Sequence, residues 1–421
     1  MKNFTMVHFA LFLASAGLAA TSASAEMRSV WAVNDGEKVD RFDLNNPNKK
    51  SNSAWDGKTI KLFGARNEIV AFQVIVESGK SGLRELTLSF PGLRKRGGDA
   101  GITYTKPEID PTRYNGRPIG IFPVNYMHVE KASNAGWFYP PDLTRPAAPK
   151  NPTGWKPVQL VPENARAGKG GFPLMVPPEA NQAVWIELYA GKGLPAGFYD
   201  GSITVRTGTE SRKIPVELEL FDFTLPDENS LRAMIYYESS QPELYYGRNN
   251  DPALQMAFHR FAHRQRVEFT TAYNEESAGG MKDIFDGSAF SPEKGYDGPG
   301  RGVGNMIVPR TFYGPGKDFG SDGDAIKNSN SWISWLDKNL AGKITFIYMP
   351  DEPRDEAFPA VREYALRIRN NPGPGNRLPV FVTSGYEEKL DNPGNVIDIW
   401  CSFYGSYNIA RAEMERAHGD E

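Results

Sequence analysis

The chain has 421 residues, 40 % of them hydrophobic, with 48 basic against 51 acidic side chains and a net charge of −3. No broad positive field is available to hold a phosphate backbone, which argues against nucleic acid as a partner. Cys401 is the lone cysteine, so no intrachain disulfide can form and stability has to come from burial.

Lys2 precedes an apolar run from Met6 to Ala20, and Ala23-Ser24-Ala25 follows. This is the pattern of a cleavable signal peptide over residues 1–25. The product is expected to be a secreted or periplasmic bacterial protein, cleaved near Ala25 and free of the membrane, since no later stretch approaches the roughly 20 apolar residues that spanning needs.

From residue 26 to 226 the apolar residues fall in short alternating runs separated by Gly, Pro, Asn and Asp. Thr59 to Phe63, Ile69 to Glu77, Leu86 to Phe90, Ala183 to Tyr189, Gly201 to Arg206 and Ile214 to Phe221 read as strands. Many short strands without a convincing helix predict an N-terminal β-sandwich. Pro140 to Pro178, rich in Pro, Gly and Lys, reads as a long surface excursion.

The character changes over residues 227–421. Strands are predicted at Ala233 to Tyr237, Val267 to Tyr273, Asn305 to Val308, Ile344 to Tyr348, Val380 to Thr383 and Val396 to Trp400. Helices are predicted near Pro252 to Gln265, Trp332 to Leu340, Phe358 to Arg369 and Ile409 to His418, with Phe358, Val361, Tyr364, Ala365 and Ile368 at helical spacing. Alternating strand and helix predicts a parallel sheet with covering helices, read as a (β/α)8 TIM-barrel-like domain. Six strands fall short of the eight a closed barrel needs: two strands escape this reading, the sheet is open, or the barrel is incomplete, and the last is favoured.

The fourth of these strands runs into Met349-Pro350-Asp351-Glu352-Pro353. Glycoside cleavage needs an acid to protonate the leaving oxygen and a second group to stabilise or attack the developing oxocarbenium ion, and two neighbouring carboxylates can divide those roles. Regular strand geometry would aim adjacent side chains at opposite faces. Both prolines lack an amide hydrogen, so irregular backbone is expected here, with Asp351 and Glu352 facing one pocket. Asp355-Glu356 is assigned the first-turn charge of the Phe358 helix, and Glu387-Glu388 a surface position.

This strand end, together with Ala71-Phe-Gln-Val-Ile-Val and Leu194-Pro-Ala-Gly-Phe-Tyr-Asp-Gly-Ser-Ile-Thr-Val, resembles glycoside hydrolase family 123 and its relatives in domain of unknown function 4091. The resemblance runs from about Val30 to Tyr404. It implies a β-sandwich joined to a (β/α)8 barrel and retaining hydrolysis of β-linked N-acetylgalactosamine, with the substrate's acetamido group as nucleophile. On that model Asp351 orients the acetamido nitrogen, Glu352 serves as general acid and then base, and Tyr404 is the candidate to hold the acetamido group.

Tyr236, Tyr237, Tyr313, Tyr348 and Trp400 lie at strand ends and are candidate platforms for a sugar. Arg310, after the third of these strands, is a candidate hydrogen-bond donor to the substrate. No cofactor is called for. His259 and His263 share the i, i+4 spacing of a metal pair, but position 260 is Arg and no third ligand is evident. Gly300-Arg-Gly-Val-Gly304 lacks the strand-to-helix setting of a phosphate loop. A glycosidase of a non-acetamido sugar and a non-catalytic carbohydrate-binding protein are the alternatives.

Overall fold

In a strand successive side chains point to opposite faces, and this alternation organises the first half of the chain. The computed structural model describes residues 26–419 apart from 110–115, 133–150, 167, 209, 250, 393–394, 404 and 406. The signal segment expected at 1–25 lies outside the described residues. Up to residue 224, the described residues form the strands β1 (Met27–Asn34), β2 (Ile60–Arg66), β3 (Glu68–Ser78), β4 (Leu83–Ser89), β5 (Gly92–Lys95), β6 (Gly101–Thr103), β7 (Ile119–Val129), β8 (Gly154–Leu160), β9 (Leu174–Val176), β10 (Asn181–Ala190), β11 (Gly197–Arg206) and β12 (Ser211–Thr224).

One antiparallel sheet has the order β1-β3-β10-β7-β8. The other has the order β2-β12-β11-β4-β9, with β5 and β6 attached beside β11, and is antiparallel except where β2 runs parallel to β12. In β12, buried Ile214, Val216, Leu218 and Leu220 alternate with outward residues, so one face serves the core. Trp31, Phe72, Val184, Ile186, Ile203 and Leu218 belong to a single cluster fed by both sheets. Full burial of each such side chain contributes about 1.5–3 kcal/mol. The excursion expected between Pro140 and Pro178 instead supplies β8 and β9 over its described part. Two-residue periodicity is hard to see in segments this short and rich in proline.

The second half contains β13 (Met234–Tyr236), α1 (Ser240–Tyr246), α2 (Pro252–Arg264), β14 (Glu268–Thr270), α3 (Glu275–Gly280), α4 (Lys282–Asp286), α5 (Asp322–Asn339), β15 (Ile347–Tyr348), α6 (Phe358–Arg369), β16 (Val380–Val382), α7 (Glu388–Asp391), β17 (Ile399–Trp400) and α8 (Ile409–His418). The expected (β/α)8 TIM-barrel-like domain is not what forms: the described residues give a parallel pair, β13-β14, and a separate three-stranded parallel sheet, β15-β16-β17. Between them the predicted strand at Asn305 to Val308 shrinks to a single bridge, Ile307 with Ile344. The cause is local. The Glu268 carboxylate takes the amides of Met306 and Ile307 at 2.8 and 2.9 Å, and Pro309 has no amide to give. Val308 and Arg310 still donate to Ile344 O and Phe346 O at 2.8 Å each, so the stretch keeps parallel contact with the chain leading into β15 without forming a full strand.

Strands β15 and β16 are buried on both faces, as parallel strands under helices are, and β17 is half-buried. Ile347, Met349, Val380 and Val382 pack with Trp332 and Leu336 of α5 and with Val361 and Ala365 of α6. Phe346, Tyr348 and Phe381 face the other way into an aromatic cluster with Ile307. Helix α6 occupies its predicted range and buries Phe358, Val361, Ala365 and Ile368. Its first turn carries no acid and its N-cap is Ala357. Asp355 lies before the helix and pairs with Lys389 at 3.3 Å, in place of the dipole role expected of it.

Buried Arg264 at the end of α2 ties this half to the sandwich. Its guanidinium donates to Arg117 O at 3.0 Å and Asp297 O at 2.8 Å, and lies 5.7 Å from the Tyr189 ring of β10.

Candidate active site

In β15, β16 and β17, Ile347 pairs with Val380, Tyr348 with Phe381, Phe381 with Ile399 and Val382 with Trp400. In-register parallel pairing brings all three carboxyl ends to one edge. In open α/β sheets, ligands bind in the crevice outside that edge. Tyr348, Asp351, Glu352, Thr383, Trp400 and Cys401 all arrive there.

The Tyr348 hydroxyl donates to Asp351 Oδ1 at 2.7 Å, and the Thr383 hydroxyl donates to the same oxygen at 2.9 Å. Thr383 Oγ1 in turn accepts the Glu352 amide at 2.8 Å. One hydroxyl thus fixes both members of the acidic pair, the first by its carboxylate and the second by its backbone. Burial pushes the Tyr348 phenol well above its ordinary range, opposed by the Thr383 bond and reinforced by the Asp351 charge. A phenol that keeps its proton is a dependable donor, so Asp351 is held as the acceptor.

Glu352 has φ 44°, in the left-handed region that a non-glycine residue enters at a cost of about 1–2 kcal/mol. Irregular backbone at this point is what the flanking prolines predict. Strain of this kind clusters at functional sites, where surrounding structure holds it. Both carboxylates are exposed, and the Glu352 side chain makes no hydrogen bond or ion pair among the described residues.

The aromatic candidates divide into groups. Tyr313 is 55 % exposed and meets Tyr348 edge-on at 5.6 Å and Tyr236 at 5.0 Å. Tyr236 and Tyr313 therefore form an aromatic surface that runs onto buried Tyr348, whose hydroxyl reaches Asp351. Tyr237 points to the other side, stacked on Phe269 at 4.8 Å with its hydroxyl on Gln255 of α2. Arg310 is buried, pairs with Asp318 at 2.8 Å and lies over Phe319 and Trp332. Trp400 sits 5.1 Å from Tyr386. Tyr404 lies outside the described residues.

A cavity of about 410 Å³ opens at the same edge of the sheet, lined among others by Tyr386, Trp400, Tyr407, Asn408, Arg411 and Glu415. Arg411 lies 3.8 Å over the Tyr386 ring and pairs with Glu415 at 2.6 Å. Neither Asp351 nor Glu352 lines this cavity. Cys401 is exposed, and partial burial of its sulfur, followed by the Asp351 charge, shifts its thiol upward, away from the thiolate form.

Sequence reasoning did not find Thr383 or Tyr386. A polar residue directly after an apolar parallel strand, as Thr383 follows Val380-Phe381-Val382, is the signal for the first of them. Among the described residues, no group of three or more His, Cys, Asp or Glu side chains has the arrangement of a metal site, and no helix is long and apolar enough to cross a membrane. His263 is engaged by Gly300 O at 2.8 Å and Asn305 Oδ1 at 3.3 Å and stacks on Phe290, whereas His259 packs against Tyr237. Gly300 takes part in that packing, and its amide donates to Asp227 at 3.1 Å.

No protein-family profile matches the sequence, and no curated protein does. Among solved structures, a family 123 glycoside hydrolase from Clostridium perfringens, studied for glycolipid glycan hydrolysis, superposes with a TM-score of 0.58 at 15 % identity, covering 92 % of this chain and 69 % of that one. A calcium-binding mutant of β-glucuronidase 2 from Bacteroides uniformis reaches a TM-score of 0.26 at 9 % identity over 85 % of this chain and 38 % of its own, too little to bear on the fold. At 15 % identity the likeness to the family 123 enzyme is one of architecture, and on that ground the chain has a family 123 hydrolase-like fold.

Proposed function

We propose that the protein hydrolyses glycosidic bonds with Asp351 and Glu352, and that its substrate is a β-linked N-acetylhexosaminide, N-acetylgalactosamine foremost. The observation that carries this reading is the carboxylate of Asp351 oriented by Tyr348 and Thr383 beside Glu352 on left-handed backbone, at the carboxyl edge of aligned parallel strands. The shared architecture with a family 123 glycoside hydrolase supports the same class of reaction.

In this mechanism the substrate's acetamido oxygen attacks the anomeric carbon while the bond to the leaving oxygen breaks. Glu352 donates its proton to that oxygen. Asp351 receives both protein hydrogen bonds on Oδ1, leaving Oδ2 to accept from the acetamido N–H and to stabilise the positive charge that develops on that group. In the second half a water attacks the anomeric carbon, Glu352 takes its proton, and the acetamido group is released with retained configuration. The aromatic surface of Tyr236 and Tyr313 is suited to the apolar face of the sugar. The exported location expected from residues 1–25 fits an enzyme acting on external glycans.

The test is hydrolysis of 4-nitrophenyl N-acetyl-β-galactosaminide by the parent and by Glu352→Gln. The variant is expected to lose at least about a hundredfold in kcat. Unchanged turnover in the variant, or none in the parent, overturns the assignment. A thiazoline that mimics the acetamido-derived intermediate should inhibit the parent; absence of inhibition alongside turnover shifts the reading to a non-acetamido sugar. The cavity beside Trp400, set apart from both carboxylates, favours a second reading in which the edge of the sheet binds carbohydrate without cleaving it.

A further inference from the structure

The outer face of the second sandwich sheet carries aromatic side chains for which the core has no use. Residues 214, 216, 218 and 220 of β12 point inward, so Phe221 and Phe223 continue the opposite set, next to Phe63 of β2. The Phe63 and Phe221 ring centroids are 5.9 Å apart, those of Phe221 and Phe223 6.0 Å, with the last two planes within 14°. Phe63 and Phe223 are 63 and 53 % exposed. Single exposed apolar residues need no explanation, but a contiguous row does.

The polar flanks of the row are already satisfied. Arg66 pairs with Asp222 at 3.0 Å and donates to Thr224 at 3.0 Å, Arg96 joins Asp200 and Glu217 at 2.7 Å each, and Lys61 pairs with Asp56 at 3.4 Å. We propose that this row is a platform for an uncharged glycan chain, a binding site distinct from Asp351 and Glu352. Flat ring faces suit the C–H faces of pyranose rings, and fixed donors and acceptors along both sides suit their hydroxyls. A protein partner is disfavoured by the same pattern: stable interfaces bury about 800 Å² per side around a core depleted of charge, and a single file of phenylalanines between ion pairs offers no such core. The flank's three cations face four carboxylates, and the surplus negative charge disfavours a sulfate or uronate.

The experiment is affinity electrophoresis of the full chain through native gels containing hydroxyethylcellulose, galactan or xylan, with heparin as the anionic comparison. Retardation in at least one neutral gel is expected, weakened about tenfold in a Phe63→Ala/Phe223→Ala variant, retained in Phe63→Tyr/Phe223→Tyr and unaffected by Glu352→Gln. Retention by Glu352→Gln separates this site from the catalytic reading, so either can fail without the other. No retardation in any neutral gel, equal retardation of the alanine variant, or binding to heparin alone overturns the proposal. So does sedimentation showing that the parent is a dimer that the alanine variant splits, because a second copy would then cover the row.

Discussion

Replacing Tyr348 by Phe isolates the contribution of one hydroxyl to the candidate site. The ring keeps its packing, with Phe312 and Phe381 each at 4.9 Å, while the 2.7 Å bond to Asp351 disappears. A hydrogen bond to a charged group is worth about 1.5–3 kcal/mol, and each 1.36 kcal/mol is a factor of ten in rate. The Thr383 bond to the same oxygen survives at 2.9 Å, which sets the expected loss in kcat/KM toward the low end, about tenfold to thirtyfold. Stability should change by less than about 1 kcal/mol, because Asp351 remains open to water and no buried acceptor is stranded. Steady-state kinetics on the 4-nitrophenyl substrate, with thermal unfolding as the control for folding, measures both. Because Tyr348 acts through Asp351, Tyr348→Phe and Asp351→Asn should combine to much less than the sum of their separate losses. Activity within twofold of the parent, or additive losses in the double variant, refutes the positioning role.

Three further outcomes are expected. Glu352→Gly should abolish turnover yet raise stability by about 0.5–1 kcal/mol in chemical denaturation, as relief of the left-handed strain outweighs the entropy glycine adds to the unfolded chain; a loss of stability would show that the backbone there is relaxed. Burial pushes His259 down to about 4, so in acid the unfolded chain binds more protons than the folded one. Its contribution is present above pH ~6.5 and is lost as pH falls toward 4, and a parent-minus-His259→Leu difference in stability that stays flat across that window contradicts this. Arg264→Met should cost about 3 kcal/mol or more, because it strands the carbonyls of Arg117 and Asp297 and removes the charge that offsets the burial of Glu187; a drop in melting temperature of less than a degree would show that the two halves do not depend on it.

Helical and strand periodicity carried most of the local structure. Phe358, Val361, Ala365 and Ile368 are buried as their spacing demands, and the strand read at Ile69 to Glu77 needed only one residue at each end. The failures share a physical origin in hydrogen bonds that periodicity does not encode. The apolar runs at Asn305 to Val308 and Ile344 to Tyr348 have the composition of barrel strands, but Glu268, 38 and 39 residues away in sequence, captures the amides of Met306 and Ile307, while those of Val308, Arg310 and Ile344 join the two runs. Asp355 had the right distance from α6 for a dipole contact and found Lys389 instead. Tyr236 and Tyr237 were equivalent candidates in the sequence, yet period-2 geometry sends one to Tyr313 and the other under α2.

The acidic pair stands out in the sequence as two adjacent residues, whereas what distinguishes the surroundings of the two is a third residue on another strand. Thr383 belongs to the end of β16 and meets Asp351 only because β15 and β16 pair in register. Its hydroxyl holds the carboxylate of Asp351 but only the amide of Glu352. A group that must remain a charged, oriented acceptor benefits from fixed donors. A group that must give up a proton and take it back is hindered by them, since any partner bound to one protonation state resists the other. The asymmetry of partners thus suits the proposed roles, orientation by Asp351 and proton transfer by Glu352, and it arises through a threonine to which the proposed mechanism gives no chemical step.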